Sequence, residues 1–266
     1  MTETATIPEY LLSREQIDSY RRNGVIRLEG VIPPDVLDVL RGAVEQAVEA
    51  ETHSPVPVGL PTDSRPAYEK IFNQKVNLWQ RHPEVARFTL SSALGSIAAR
   101  LEGRAMRIWH DQALFKEPMK GNNKTPWHQD AVYWPHADRW HQTTVWIALK
   151  DATTQNGCMA FVEGTQSLGP LPPVDLADPQ DLFDAAPHLR PVKPVPLPLK
   201  AGSVTFHNGL TFHYAGPNKS DDIREAFAII YMPEDTVFDG SPHVVTDGHG
   251  FQPGQKLEAE LFPLVS

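Results

Sequence analysis

The sequence predicts a mainly β fold with its helices gathered at the N-terminal end. The first third of the 266 residues carries helix-cap signals and apolar residues at helical spacing. After it come short segments rich in β-branched, aromatic or apolar residues, separated by Gly, Pro, Asn and Asp. This order of elements fits an antiparallel β core with helices added before it. The length suits one β-barrel or sandwich with extra helices and is ample for a sizeable core.

The elements follow in order. Ser13-Arg14-Glu15-Gln16 has the capping-box pattern, with Ser at the N-cap and Gln three residues on, and Gly24 is a stop signal. Val25-Ile26-Arg27-Leu28 is a short strand candidate. Pro33-Pro34-Asp35 opens a second helix, because proline and an acid are favoured in a first turn. Its Leu37, Leu40, Val44 and Ala47 fall on one face. A third helix is expected from Ser92 to Leu101, ending at Gly103. Strands are expected from Met106 to Phe115, Thr143 to Leu149, Cys158 to Val162, Ser203 to Phe206 and Ala226 to Met232. Residues 165–200 are proline-rich and unsuited to central strands, so they form a surface loop or a lid over a site. One domain is expected over 1–266, with a helical part to about 103 and the barrel from about 104.

Composition excludes several classes. The net charge of −9 argues against nucleic acid as a partner. The single cysteine, Cys158, rules out an intrachain disulfide and a cysteine-cluster metal site. The start MTETATIPEY has neither the basic nor the apolar region of a signal peptide, and no run is long and apolar enough to span a membrane. The expectation is a soluble, cytoplasmic protein with no membrane partner.

One stretch raises a question of chemistry. In PWHQDAVYWP, residues 126–135, His128 and Asp130 stand two apart. On a strand they would project from the same face, suited to one metal ion. Two imidazoles and one carboxylate with the remaining positions open is the facial triad of non-haem Fe(II) oxygenases, so a further histidine is needed. His207 and His213 are the late candidates. A chain of this composition holds about one His-x-Asp by chance, and a second, His136-Ala137-Asp138, lies in a polar, turn-like run that reads as surface. Arg224, eleven residues past His213, opens an apolar strand. A guanidinium there is costly unless it meets an anion, and its planar fork matches a carboxylate. Taken singly, it reads better as a rim salt bridge.

Three pieces in this order, PWHQDAVYWP, TVWIALKDATTQNGCMAFVEGTQS and AGSVTFHNGLTFHYAGPNKSDDIREAFAIIYMP, resemble the phytanoyl-CoA dioxygenase family of Fe(II)- and 2-oxoglutarate-dependent oxygenases. The resemblance runs through most of the chain. It implies a double-stranded β-helix, a jelly-roll barrel. It implies His128, Asp130 and His213 as iron ligands and Arg224 as the partner of the distal carboxylate of 2-oxoglutarate. Trp146, Gln112 and Lys75 match positions that line the cosubstrate pocket, and Asn156-Gly157 matches a turn between barrel strands. His207 matches a place that a His or an aromatic often occupies without binding iron, so it is expected behind the ligands or in the barrel interior, with positioning of the substrate as the lesser alternative. One departure is Ala215, where the family commonly has Ser.

The activity so implied is oxidation of an unactivated C–H bond with dioxygen and 2-oxoglutarate, releasing succinate and CO2. The carboxylate of Asp130 argues against halogenation, since related halogenases have a small residue there, and favours hydroxylation, desaturation, epoxidation or ring closure. Tyr133 and Trp134 are candidates to line the substrate pocket or to pack under the 165–200 loop, and Asn73 and Gln74 are further candidates. No concentrated basic patch is present for the phosphates of coenzyme A. This favours a small free molecule, an amino acid or a biosynthetic intermediate, over acyl-CoA. A non-oxidative cupin-like metalloenzyme and a binding-only barrel are the competing classes. The dicarboxylate anchor Arg224 argues against the former, and the intact triad against the latter.

Overall fold

The structure, a computed structural model, describes residues 5–51, 73–118, 124–174, 186–189 and 192–266. Helix α1 (Arg14–Asn23) begins as its sequence requires: Ser13 Oγ accepts from the Gln16 amide at 3.1 Å, and Gln16 Oε1 accepts from the Ser13 amide at 2.8 Å. It ends at Gly24, whose φ of 73° is left-handed; a Cβ there would lie 2.3 Å from Thr211 Oγ1. Strand β1 (Val25–Leu28) follows directly. Helix α2 (Pro34–Ala50) buries Leu37, Leu40, Val44 and Ala47, with Val36 and Val48 beside them. A fully buried Leu such as Leu40 contributes about 1.5–3 kcal/mol of transfer free energy.

Strand β2 (Asn73–Val76) and helix α3 (Pro83–Thr89) have no counterpart in the sequence expectation, both being too short for a clear period. Helix α4 (Ser92–Glu102) ends at Gly103 in the left-handed region, as expected. The remaining strands are β3 (Met106–Lys116), β4 (Thr125–His128), β5 (Thr143–Ala148), β6 (Met159–Phe161), β7 (Val195–Pro196), β8 (Val204–Asn208), β9 (His213–Ala215) and β10 (Arg224–Pro233).

The strands pair antiparallel in two sheets. The larger has the order β1-β8-β5-β10-β3-β2, the smaller β4-β9-β6-β7. The N-terminal third thus supplies both edge strands of the larger sheet as well as the helices. β10 shows the layering. Phe227, Ile229 and Tyr231 join the core shared with α2, α3 and α4, whereas Ala226, Ala228, Ile230 and Met232 join the core between the sheets. Helices, large sheet and small sheet form three layers, consistent with a double-stranded β-helix. β7 is the only strand from the proline-rich 165–200 stretch among the described residues, and it lies at a sheet edge.

Buried polar groups tie the layers. Tyr20 on α1 bonds Thr143 Oγ1 on β5 at 2.8 Å and also reaches Glu102 on α4. Asp111 on β3 accepts from the Leu78 and Trp79 amides at 2.7 and 3.0 Å and from Thr89 Oγ1 at 2.7 Å, joining α3 to the sheet. Among the described residues no helix is long and apolar enough to cross a membrane.

Candidate metal centre and cleft

β4 and β9 run antiparallel, and their register sets His128 opposite His213. Each ring donates from Nδ1 to a carbonyl two residues back: His128 to Pro126 O at 2.8 Å and His213 to Thr211 O at 3.0 Å. The proton is thereby held on Nδ1, and both Nε2 lone pairs turn to Asp130. His128 Nε2 lies 3.2 Å and His213 Nε2 3.5 Å from Asp130 Oδ1. The three donor atoms fall within 4.8 Å of one another, a spacing one metal ion can span.

The route to this arrangement differs from the expected one. His128 and Asp130 do not share a strand face. β4 stops at His128, and Asp130 has helical angles (φ −70°, ψ −48°) at the start of a 3-10 turn, Ala131–Tyr133. The Ala131 amide bonds Gly209 O at 2.9 Å, so the chain bends toward the β8–β9 connection and carries the carboxylate back to the histidines.

His207 is the support behind the carboxylate. Its Nε2 is 3.2 Å from Asp130 Oδ2, and Thr144 Oγ1 donates to the same oxygen at 3.4 Å. Oδ2 is held from behind while Oδ1 faces the two ligand candidates. Burial alone would raise the Asp130 carboxyl, but His213, His128 and His207 outweigh it and hold it well below the ordinary value. Burial, with His128 adding to it, pushes His213 down to about 3. Neutral imidazole beside ionised carboxylate is the protonation state that a metal requires.

The centre opens on a cleft whose free volume, counted out to solvent, is about 1040 Å³, lined by Arg224, Trp146, Gln112, Tyr133 and Trp134 among others. Arg224 is buried, over the Trp146 ring at 5.2 Å. Its Nη1 and Nη2 donate to Gly157 O and Leu114 O at 3.3 and 3.4 Å, and its Nε has no partner among the described residues. No carboxylate of the described residues lies within ion-pair distance of it. A buried guanidinium with long carbonyl contacts and an orphaned N–H is a place made for an anion. Gly157, at φ 86°, lets that turn approach: a Cβ would meet Gly216 O at 2.4 Å.

Other expected site residues fare differently. Lys75 does not line the cleft. It pairs with Ala113, whose side chain belongs to the core on the helix side, and it is the adjacent Val76 that reaches the cleft. The side chains of Asn73 and Gln74 lie outside the described residues. Tyr133 donates from its hydroxyl to Val174 O at 2.7 Å, so it lines the cleft and also ties the start of the 165–200 loop. His136 is buried, not surface: its strand bridge to Phe238 folds the turn inward against Trp109.

Several groups were missed. Gln129, between the two ligand candidates, points the other way and donates to Gly169 O and Leu210 O at 2.9 and 2.8 Å while accepting from Leu171 N at 2.9 Å, clipping the loop beside the centre. Lys116 is fully buried next to Arg224 on the neighbouring strand and donates to Gly216 O at 2.9 Å. The argument applied to Arg224, a cation in an apolar strand, applies equally to it. His110 and His243 also line the cleft; His243 stands in a Gly-, Pro- and Asp-rich tail without periodicity, which offers no signal.

A jelly-roll with two imidazoles, a carboxylate and an unanswered guanidinium in one cleft defines a class, and comparison with known proteins names it. Residues 20–226 match the model of the phytanoyl-CoA dioxygenase (PhyH) family, and the chain belongs to that family. It is 23% identical over 242 residues to peroxisomal phytanoyl-CoA dioxygenase of Rattus norvegicus, covering 86% of this chain and 71% of the relative. The crystal structure of SnoK, a non-heme α-ketoglutarate-dependent carbocyclase from nogalamycin biosynthesis, is 31% identical, with 96% of this chain and 97% of that one covered and a TM-score of 0.82. The epimerase SnoN, solved with Fe3+, α-ketoglutarate and nogalamycin RO, shares the fold at 24% identity and a TM-score of 0.74, over 95% and 98% of the two chains.

Proposed function

We propose that this protein is an Fe(II)- and 2-oxoglutarate-dependent oxygenase that oxidises a C–H bond of a small molecule. The observation that carries this is the cleft shared by the His128, Asp130 and His213 donor set and a buried Arg224 lacking a carboxylate partner among the described residues. Bound there, Fe(II) with 2-oxoglutarate and dioxygen supplies oxidation coupled to decarboxylation, yielding succinate and CO2.

His128, Asp130 and His213 would hold the metal, with His207 and Thr144 fixing the carboxylate. Arg224 would take the distal carboxylate of 2-oxoglutarate through its free Nε edge, and Trp146 under the guanidinium holds its plane. Gln112 lines the same cleft and offers an amide to the cosubstrate. Tyr133 and Trp134 also line the cleft and would help to exclude water from it.

A biosynthetic intermediate or amino acid suits the cleft better than acyl-CoA. Among the described residues Arg224 is the only Lys or Arg lining it, so a nucleotide's phosphates would find no second cation there. The likeness to SnoK, a carbocyclase of natural-product biosynthesis, supports the same preference. The acidic composition and single cysteine agree with a cytoplasmic setting. A non-oxidative cupin-like reaction would leave Arg224 without a purpose.

Succinate formation tests the proposal. With Fe(II), 2-oxoglutarate and oxygen the wild type should release succinate even without its substrate, slowly, and Asp130→Ala should release none. Equal release by both proteins, or none by metal-loaded wild type across a substrate panel, would overturn it.

A further inference from the structure

The cleft also holds two histidines that the proposed oxygenase chemistry does not use. His110 is on β3, two residues from Gln112 on the same strand face, and His243 comes from the segment after β10. Both are buried, both line the cleft, and their ring centroids are 6.2 Å apart with the planes tilted by 33°. His243 lies beyond residues 20–226, so the family match assigns it nothing.

The backbone fixes each tautomer differently. His110 Nδ1 faces the Asp111 carbonyl at 3.3 Å; a carbonyl can only accept, so Nδ1 carries the proton and Nε2 presents a lone pair. His243 Nδ1 accepts from the Val245 amide at 3.1 Å, so its proton sits on Nε2, which presents a donor. Neither Nε2 meets a hydrogen-bonding atom of the described residues. One acceptor and one donor, side by side on the cleft wall, complement a group that is itself donor and acceptor.

The pair is also held rigid. The His243 turn is closed by its own amide on Asp247 Oδ1 at 3.0 Å and by the Thr246 and Asp247 amides on His243 O at 2.9 and 2.8 Å. The ring packs on Trp109 at 4.9 Å, and Trp109 stacks on Phe262 at 5.2 Å. Burial pushes His110 down to about 4 and lowers His243 further, the neighbouring His110 and His136 adding to it. Burial favours the neutral form of both rings, so the pair offers a phosphate or carboxylate a single N–H donor, that of His243, and no positive charge.

We propose that His110 and His243 form a hydroxyl clamp that orients an uncharged alcohol- or phenol-bearing substrate beside the metal, resting on the oxygenase assignment of the same cleft. The segment after β10 thereby sets substrate choice. A hydroxyl donates to His110 Nε2 and accepts from His243 Nε2–H; an ether or carbonyl meets only His243, and a hydrocarbon answers neither nitrogen.

The test uses the full chain loaded with Zn(II), a diamagnetic stand-in, and 2-oxoglutarate. Phenol and toluene, matched in size, are titrated and followed by NMR, and 2-oxoglutarate binding is titrated on the same samples. Phenol should bind about tenfold more tightly than toluene. His110→Phe and His243→Phe should bring that ratio close to one with 2-oxoglutarate binding unchanged, and His243→Gln, which keeps an N–H donor, should retain most of it. Absence of phenol binding, no preference in the wild type, or full preference in both Phe variants would overturn the clamp. Should a Phe variant not fold, 15N-histidine spectra of the wild type decide. Nε2–H on His243 and Nδ1–H on His110, with both Nε2 signals moved by phenol, support it; other tautomers or unmoved signals contradict it. Failure of 2-oxoglutarate to bind the wild type would instead overturn the oxygenase assignment.

Discussion

Arg224 and Lys116 sit opposite each other in the β10–β3 register, both buried and without an acidic partner among the described residues. Burial, with Arg224 adding to it, pushes Lys116 down to about 6 from an ordinary 10.5. Between those values the unfolded chain holds a proton that the folded protein sheds, so this group makes stability rise with pH from about 6 to 10.5. Denaturation of the wild type and Lys116→Met at pH 6, 7.5 and 9 should show the wild type gaining on the variant as pH climbs. Parallel stability curves would mean the ammonium stays charged in the fold, satisfied by the carbonyls it touches. The site was only partly legible at this scale. His213 and Arg224 were readable because each brings a scarce chemical type to an apolar strand at a recognisable interval. Lys116 carried the same signal. Lys75 was misplaced because a one-residue step along a strand reverses its face, and the sequence around β2 does not set that register.

At the scale of elements, β10 is organised by alternation: Phe227, Ile229 and Tyr231 face the helices, and on the inner face two alanines, Ala226 and Ala228, precede Ile230 and Met232. Ala226 and Ala228 keep open the space that the cofactor and cosubstrate need, and Ala228 lines the cleft directly. Ala228→Phe should therefore weaken 2-oxoglutarate binding at least tenfold, and it should cost about 1–3 kcal/mol of stability through overpacking. On the opposite face, Ile229→Val should cost about 0.5–1.5 kcal/mol and leave cosubstrate binding intact. Calorimetry with and without 2-oxoglutarate separates the two effects. Equal cosubstrate binding in both variants would contradict the assignment of faces. The helix caps and long strands were legible because capping and alternation are local. The bend after His128 was not: a contact from Gly209, far along the chain, ends the strand. The burial of His136 is equally non-local, since it depends on the bridge to Phe238.

Over the whole molecule, the N-terminal helices and the large sheet share one apolar core, in which Leu28, Leu40, Phe88 and Leu101 meet Phe206, Phe227 and Ile229. The tail after β10 completes the inner core with Phe238, Leu257 and Phe262, fastened by bridges from Val237 to Lys256 and from Arg107 to Leu264. That tail has no periodicity to read, because it is held by turns and by the aromatic cluster around Trp109 rather than by a strand or helix pattern. The two sheets converge on the metal centre, with β4 and β9 bringing the two histidines, β5 and β8 bracing the carboxylate, and β10 supplying the arginine. The most direct test is anaerobic addition of Fe(II) and 2-oxoglutarate to the purified apoprotein. A weak visible charge-transfer band should appear in the wild type, be lost in His213→Ala, and require much more 2-oxoglutarate in Arg224→Ala. A folded, metal-replete wild type without that band, or an undiminished band in both variants, would contradict the assigned centre.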